Sequence, residues 1–332
     1  MKGIRSKRER RAAIARIVGV LGALTWLCHA SPVRAKLCGD DVQGQHVPCA
    51  CGDTVVSDLT LTNDPVSRSV CPGDGLIVRA SGASRGITVD LRGKTLRGSG
   101  QGAGLWVVDG GPGGARIVSK GRFARLAGFR DGIVAQGSDT LALVDGVVVV
   151  RSLRDGVRVN GSHYVVNNTQ VVKSGRDGFC LSGHDFRVTA TRAVHSGRYG
   201  YFVMGVRSVV GLPVAGNASE GSGDAGFSLE GAWNSLSACK ASGAVKDGVR
   251  LNGSHYIVDG CVVSGNGGSG IVGSGIDWQL SNNLATQNRY DGLVVRGVDV
   301  IDRGGNRGSE NLGQRWRRAG LQCAISRVDC GQ

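Results

Sequence analysis

A three-residue marker returns about every 22 residues through the middle of this chain, and each time it opens the same short apolar stretch. It reads Asp131-Gly132-Ile133, Asp155-Gly156-Val157, Asp177-Gly178-Phe179, Tyr199-Gly200-Tyr201, Ala225-Gly226-Phe227, Asp247-Gly248-Val249, Ser269-Gly270-Ile271 and Asp291-Gly292-Leu293, with glycine spacings of 24, 22, 22, 26, 22, 22 and 22. A fixed period in this range belongs to stacked-repeat architectures, in which one repeat cannot bury its apolar side alone and depends on its neighbours to cover it. The marker therefore constrains shape far more than chemistry.

Gly156 to Asp177 serves as the type repeat. Val157 and Val159 alternate with Arg158 and Asn160, the period of a strand with one buried face. Gly161-Ser162 turns, Tyr164 and Val166 supply a second inward pair, Asn167-Asn168 turns again, and a third stretch at Val171 leads to Ser174-Gly175. Three short strands per coil, joined by Gly, Ser and Asn corners, predict an all-β parallel solenoid. The 56 glycines are expected where corners need positive φ or close backbone approach.

In this frame Ile133, Val157, Phe179, Tyr201, Phe227, Val249, Ile271 and Leu293 fall in one inward column, and Val159, Leu181, Val203, Leu229, Leu251 and Val295 in the next. Full burial of such side chains contributes about 1.5–3 kcal/mol each. A third column, Thr169, Thr191, Asn217, Cys239, Cys261 and Asn283, predicts a polar ladder from coil to coil. Cys239 and Cys261 stack at about the 4.8 Å strand spacing, which a disulfide tolerates, so they are either bridged or two buried thiols. The extra residues of the 26-residue repeat are placed near Gly211-Leu212-Pro213.

Earlier, Leu76-Ile77-Val78, Ile87 to Leu91, Lys94 to Arg97 and Leu105-Trp106-Val107 form less regular coils joined by glycine-rich loops. About ten coils then run from Thr54 to Arg303. The expected organisation is an export signal over 1–35, a cysteine-rich cap and first coil over 36–75, the helical stack over 76–303 and a closing cap over 304–332.

The net charge of +14 is concentrated at the start, where eight basic residues face only Glu9 within the first 35, leaving about +7 for the body. The apolar run from Ile14 to Ala30 behind that basic head reads as a cleaved export signal, with cleavage after Ala30 or Ala35. No other segment is apolar enough to cross a bilayer, so no stable membrane span is expected after cleavage. The protein is placed outside the cytoplasm: secreted, periplasmic or at the cell surface. Cys38, Cys49, Cys51 and Cys71 before the repeats and Cys323 and Cys330 after them read as disulfide staples on the caps. No metal site or cofactor is expected, since Cys49 and Cys51 lack partners at zinc-ligand spacing. The late run Arg303, Arg307, Arg315, Trp316, Arg317 and Arg318 is read as part of the closing cap, not as a nucleic-acid surface.

Repeats with a Gly-apolar-x-apolar first strand, a Gly-Ser corner and an Asn/Thr ladder resemble the right-handed parallel β-helix proteins of the pectin-lyase-like superfamily. The opening Cys51-Gly52-Asp53-Thr54, Cys71-Pro72-Gly73-Asp74-Gly75-Leu76 and Val89-Asp90-Leu91-Arg92-Gly93-Lys94-Thr95-Leu96 is similar to the start of secreted bacterial members. The resemblance implies sites on the outer face of the first strand and its turns. It spans lyases, hydrolases, epimerases, tailspikes and adhesins, so it fixes fold and not activity. Pectate lyases of the group hold calcium with an acidic cluster beside an arginine base, and polygalacturonases carry three aspartates with Gly-His-Gly and Arg-x-Lys. Here the outward first-strand positions hold only Glu230 as an acid, and Gly183-His184-Asp185 is a partial echo.

Three groups of residues stand as candidates. Arg130, Arg154, Arg176, Arg198 and Lys246 precede the marker and form a basic row suited to an acidic polymer, or a solvated ladder of turn residues. His163 and Asp185, one coil apart in the outward column Asp139, His163, Asp185, Arg207, Trp233, His255, Asp277 and Asp299, suit acid–base work. However, Arg158 to Val166 recurs almost verbatim as Arg250 to Val258, 92 residues later, which argues for a structural corner. Glu230, Arg250, Asp247 and Asn252, with Phe202 and Met204 beside them, make the best single pocket for a sugar ring. The leading expectation is a binding protein for carbohydrate or another acidic surface polymer, without strong catalysis. The alternatives are a polysaccharide lyase, hydrolase or uronate epimerase, and a structural envelope or adhesive element.

Overall fold

A computed structural model describes residues 35–80, 85–313, 322–325 and 328–329. Residues 1–34 of the expected export signal over 1–35, Cys330 and the cap residues Arg315 to Arg318 lie outside the described residues. Lys36–Gln332 forms one compact unit. Its strands are arranged as a parallel β-helix, and one 3-10 turn, Pro65–Ser67, is the lone helical element among the described residues.

The type repeat folds as the strands Val157–Ser162, Val165–Asn167 and Gln170–Val172. Each pairs in parallel with its counterpart one coil later: Val157 with Phe179, Val166 with Val188, Val171 with Ala193. The first-strand column holds twelve such strands from Asp53–Val55 to Cys323–Ile325, and the third-strand sheet has eleven. The number exceeds the expected ten because one more strand joins the stack at each end, Asp53–Val55 and Cys323–Ile325. Leu76 pairs with Leu105 and Leu105 with Ile133, steps of 29 and 28 residues that no regular period reveals. The four extra residues of the long repeat lie between Val209–Val210 and Ala218–Glu220, where Leu212 and Ala215 bridge the loop.

Both inward columns are buried as expected. Phe179, Tyr201 and Phe227 stack face to face, with ring centroids 4.8 and 4.5 Å apart and planes within 7°. The Tyr201 hydroxyl, deep in this core, pairs with Thr191 Oγ1 at 2.9 Å and donates to the carbonyl of Ala218 at 3.2 Å. Burial raises its pKa well above the usual phenol value. Such stacking adds to area burial by about 0.5–1.5 kcal/mol per pair.

The marker pair has separate causes for its two residues. A Cβ on Gly178 would lie 2.6 Å from the carbonyl oxygen of Gly200 on the next coil, so only glycine fits. Asp155 and Asp177 are fully buried, and each carboxylate accepts the backbone N–H of the corresponding residue one coil on, at 3.3 Å. The polar ladder is also present: Asn217 Oδ1 accepts from Thr191, and Asn283 Oδ1 accepts the N–H of Cys261. A second ladder runs Asn266, Asn288, Asn311 and Gln322, each amide oxygen accepting from the residue before it at 2.9–3.1 Å.

Corners depart from the sequence expectation in one respect. Asp139, His163, Asp185, Arg207, Trp233, His255, Asp277 and Asp299 all have φ between +52° and +60°. The left-handed bend between first and second strands is therefore made by non-glycine residues, held there by the coils on either side. Glycine sits two residues earlier instead, because a Cβ on Gly253 would lie 1.8 Å from the carbonyl oxygen of Gly231.

Disulfides join Cys38 to Cys49 and Cys51 to Cys71 in the N-terminal cap. A third, Cys239–Cys261, links successive coils with Cα atoms 4.4 Å apart, which resolves the alternative left open by the sequence. Cys323 is disulfide-bonded as well. No helix among the described residues is long and apolar enough to cross a membrane.

Candidate functional site

The basic row before the marker folds into ion pairs. Arg176 reaches back one coil and grips both oxygens of Asp155, and Arg198 does the same to Asp177. Arg130 donates through Nε to Asp131 at 3.1 Å, and Lys246 donates to Asp224 at 3.1 Å. Arg154 extends the row through its backbone, its N–H bonded to the carbonyl of Arg130. Each carboxylate below the arginines is buried, so the row is a ladder of compensated charge whose guanidiniums are about half exposed.

Arg250 is similarly engaged, donating through Nη2 to Asp247 at 2.9 Å and to Asp224 at 3.1 Å. Asp224 was not foreseen, since it occupies the row that is otherwise basic. Glu230 pairs in register with Met204 below and Asn252 above, on the outward face, so the expected pocket residues are neighbours. Phe202 lies against Tyr199 at 5.3 Å, and the Arg198 guanidinium sits over both rings. Among these groups the arginines bind their own aspartates, and Glu230 stands on an open face.

A cleft of about 270 Å³ opens lower on the same first-strand face. Trp106, Val134 and Arg158 stack in one outward file on three successive coils. Gln136, Asp74 and Arg130 complete its walls. The indole is 38% exposed, enough to offer a flat apolar face. Arg158 lies 3.9 Å from both Asp131 and Asp155, and its buried Nε has no hydrogen-bond partner. The alternation of the type repeat placed Arg158 outward, but Trp106 was not singled out, because it belongs to a coil without the marker.

The corner between first and second strands brings His163 and Asp185 together as expected, with Nε2 and Oδ2 3.9 Å apart. It also adds His184, whose Nδ1 lies 2.9 Å from Asp185 Oδ2, and Asp139, whose Oδ1 lies 2.9 Å from His163 Nδ1. His184 Nε2 meets Ser162 Oγ at 2.8 Å. Arg207 forms two parallel hydrogen bonds to Asp185 at 2.8 and 2.7 Å. These bonds, first from Arg207 and then from His184, hold the Asp185 carboxyl well below the usual carboxylate range. One ligand atom from each of His163, His184 and Asp185 falls within a 4.8 Å grouping, in a chain where no metal site was expected.

The duplicated corner four coils on is not equivalent. Its His255 stacks on Trp233 with centroids 3.6 Å apart and faces Asp277 at 3.3 Å. Where Ser162 pairs with His184, Ser254 pairs with Ile276. The recurring segment thus encodes the bend, while the residues one coil away decide what the bend carries.

Residues 118–311 match the model of a family described as periplasmic copper-binding protein (NosD). A solved pectate lyase, Pel9A, is similar in fold, with a TM-score of 0.38 and 17% identity over 73% of this chain and 60% of that one. The chain thus spans about 60% of the length of that enzyme. No curated protein sequence matches the chain.

Proposed function

The chain belongs to the NosD family, a periplasmic family of right-handed β-helices, and from that premise we propose that it is a periplasmic binding protein without strong catalytic activity. Its coils act as a rigid frame that presents side chains on the outer surface. The ligand the geometry supports best is a carbohydrate or another acidic polymer lying along the first-strand face. The observation that carries this reading is the cleft in which the exposed indole of Trp106 adjoins the guanidiniums of Arg130 and Arg158. An aromatic face accepts the apolar side of a ring, and a partly exposed guanidinium suits a carboxylate. The ion-paired row above the cleft continues the partly exposed arginine side chains from coil to coil, each over a buried carboxylate. Retention of the purified protein on a panel of acidic and neutral polysaccharides tests the reading. Binding should weaken with salt and with Trp106→Ala or Arg158→Ala, and no retention of any acidic polymer would remove it. The same panel, read for unsaturated products and new reducing ends, tests the lyase, hydrolase and epimerase alternatives at Glu230 and Arg250; a purely structural element would give neither binding nor turnover.

A second reading takes the family description at its word and makes copper the ligand. The donor chemistry of one place fits: two imidazoles and a carboxylate at the His163 corner suit a borderline ion such as Cu(II). His163, His184 and Asp185 would hold it. Metal analysis of protein isolated from copper-supplemented cells tests this reading.

A further inference from the structure

We propose that His163, His184 and Asp185 form a site for a divalent transition-metal ion of the copper(II) class, and that Arg207 competes with the ion for Asp185. The proposal rests on the copper reading of this corner and adds to it a preference for the divalent ion over Cu(I) and one competing residue.

The outer contacts of the two imidazoles point to a metal. His163 has Nδ1 held by Asp139 at 2.9 Å, which leaves Nε2 facing Asp185. His184 has Nε2 held by Ser162 at 2.8 Å, which leaves Nδ1 2.9 Å from the same carboxylate oxygen. Metal-binding histidines are oriented in this way, with the nitrogen remote from the ion bonded to a carboxylate or hydroxyl. The backbone adds rigidity, because His163 and Asp185 both occupy the left-handed bend that the neighbouring coils impose.

The donor set also speaks to oxidation state. Two nitrogens and one oxygen match Cu(II), Ni(II) or Zn(II), while Cu(I) prefers thiolate and thioether sulfur, which this corner does not supply. Uniqueness is the second, independent argument. The corner at His255 repeats the same nine-residue segment but has Ile276 in place of His184 and Trp233 in place of Asp139, so it offers a single imidazole. Arg207 holds both oxygens of Asp185. An ion entering the corner must take one of them, and the guanidinium then swings into solvent, since its side chain is already 60% exposed.

The test is titration of the full exported chain with Cu(II) in a non-coordinating buffer, followed by calorimetry and electron paramagnetic resonance, with a parallel anaerobic titration with Cu(I). One Cu(II) per chain is expected at the corner, with nitrogen hyperfine structure from two imidazoles. His163→Asn and His184→Gln, both at exposed positions, should each weaken binding about tenfold or more. His255→Asn should leave it unchanged, and Arg207→Gln should tighten it about fivefold or more. Cu(II) affinity untouched by both His163→Asn and His184→Gln would overturn the site. Copper taken up only as Cu(I) would overturn the corner while sparing the family-based reading, and no copper in either state would remove both. Unchanged or weaker binding by Arg207→Gln would overturn the competition.

Discussion

Arg198 caps Asp177 from the following coil, with Nε donating to one carboxylate oxygen at 2.8 Å and Nη2 to the other, above a carboxylate with no solvent exposure. The same carboxylate accepts the N–H of Tyr199, so it ties two coils together through both side chain and backbone. Removing the guanidinium leaves a buried charge uncompensated. Arg198→Ala is therefore expected to lower stability by about 3 kcal/mol, toward the low end for buried pairs because the arginine itself is 42% exposed. Arg207→Ala removes an exposed pair and should leave the denaturant midpoint unmoved. Urea unfolding of both variants checks the contrast.

The Phe179, Tyr201 and Phe227 stack predicts a graded series. Tyr201→Phe keeps the stacked ring but drops the hydroxyl contacts to Thr191 and Ala218, at a cost of about 1–2 kcal/mol. Tyr201→Ala opens a void between two rings and should cost about 3–5 kcal/mol. Equal losses for the two variants, measured by chemical denaturation, would contradict the stack as a load shared by the rings.

Cys180 is the free thiol among the described residues. Burial pushes its pKa up to about 11, and the carboxylates of Asp155 and Asp177 push in the same direction. A thiol that ionises less readily in the folded state than in the unfolded one favours folding fully below its ordinary value of 9.0 and progressively less as pH rises toward 11. Alkylation at pH 8 should be slow in the folded protein and fast after unfolding. Cys180→Ser should flatten the loss of stability above pH 9. Rapid labelling of the folded chain at pH 8 would contradict this account.

The coil-to-coil disulfide gives a covalent check on register. Peptide mapping without reductant should recover Cys239 joined to Cys261, and no fragment pairing either with Cys180. Closing a segment with a sequence separation of 22 residues is worth about 3 kcal/mol by loop entropy, so the Cys239→Ala/Cys261→Ala variant should lose that much.

The stacking of Phe179 on Tyr201 was legible in the sequence because the period and the two-residue alternation fix both the register and the side of each residue. The pairing of Arg176 with Asp155, and not chiefly with its neighbour Asp177, was not legible. It depends on which way a long side chain leans between coils, and composition carries no trace of that. The amide ladder through Asn266, Asn288 and Asn311 was hidden because the same file begins as Ser174, Ser196, Ser222 and Ala244. Trp106 escaped notice for a different reason: its coil spans 28 or 29 residues and lacks the marker, so it could be aligned only after folding. His163 and Asp185 were found as a pair because they share a column, whereas His184 belongs to the strand end beside it and joins them only across the bend.

The repeated segment at His163 and His255 has a consequence for how such a chain acquires new chemistry. Each bend reads its meaning from the layers that flank it, so a single replacement in one layer alters the surroundings of two bends at once. Diversity here grows by changing neighbours and leaving the bend intact, much as a letter changes sound with the letters around it.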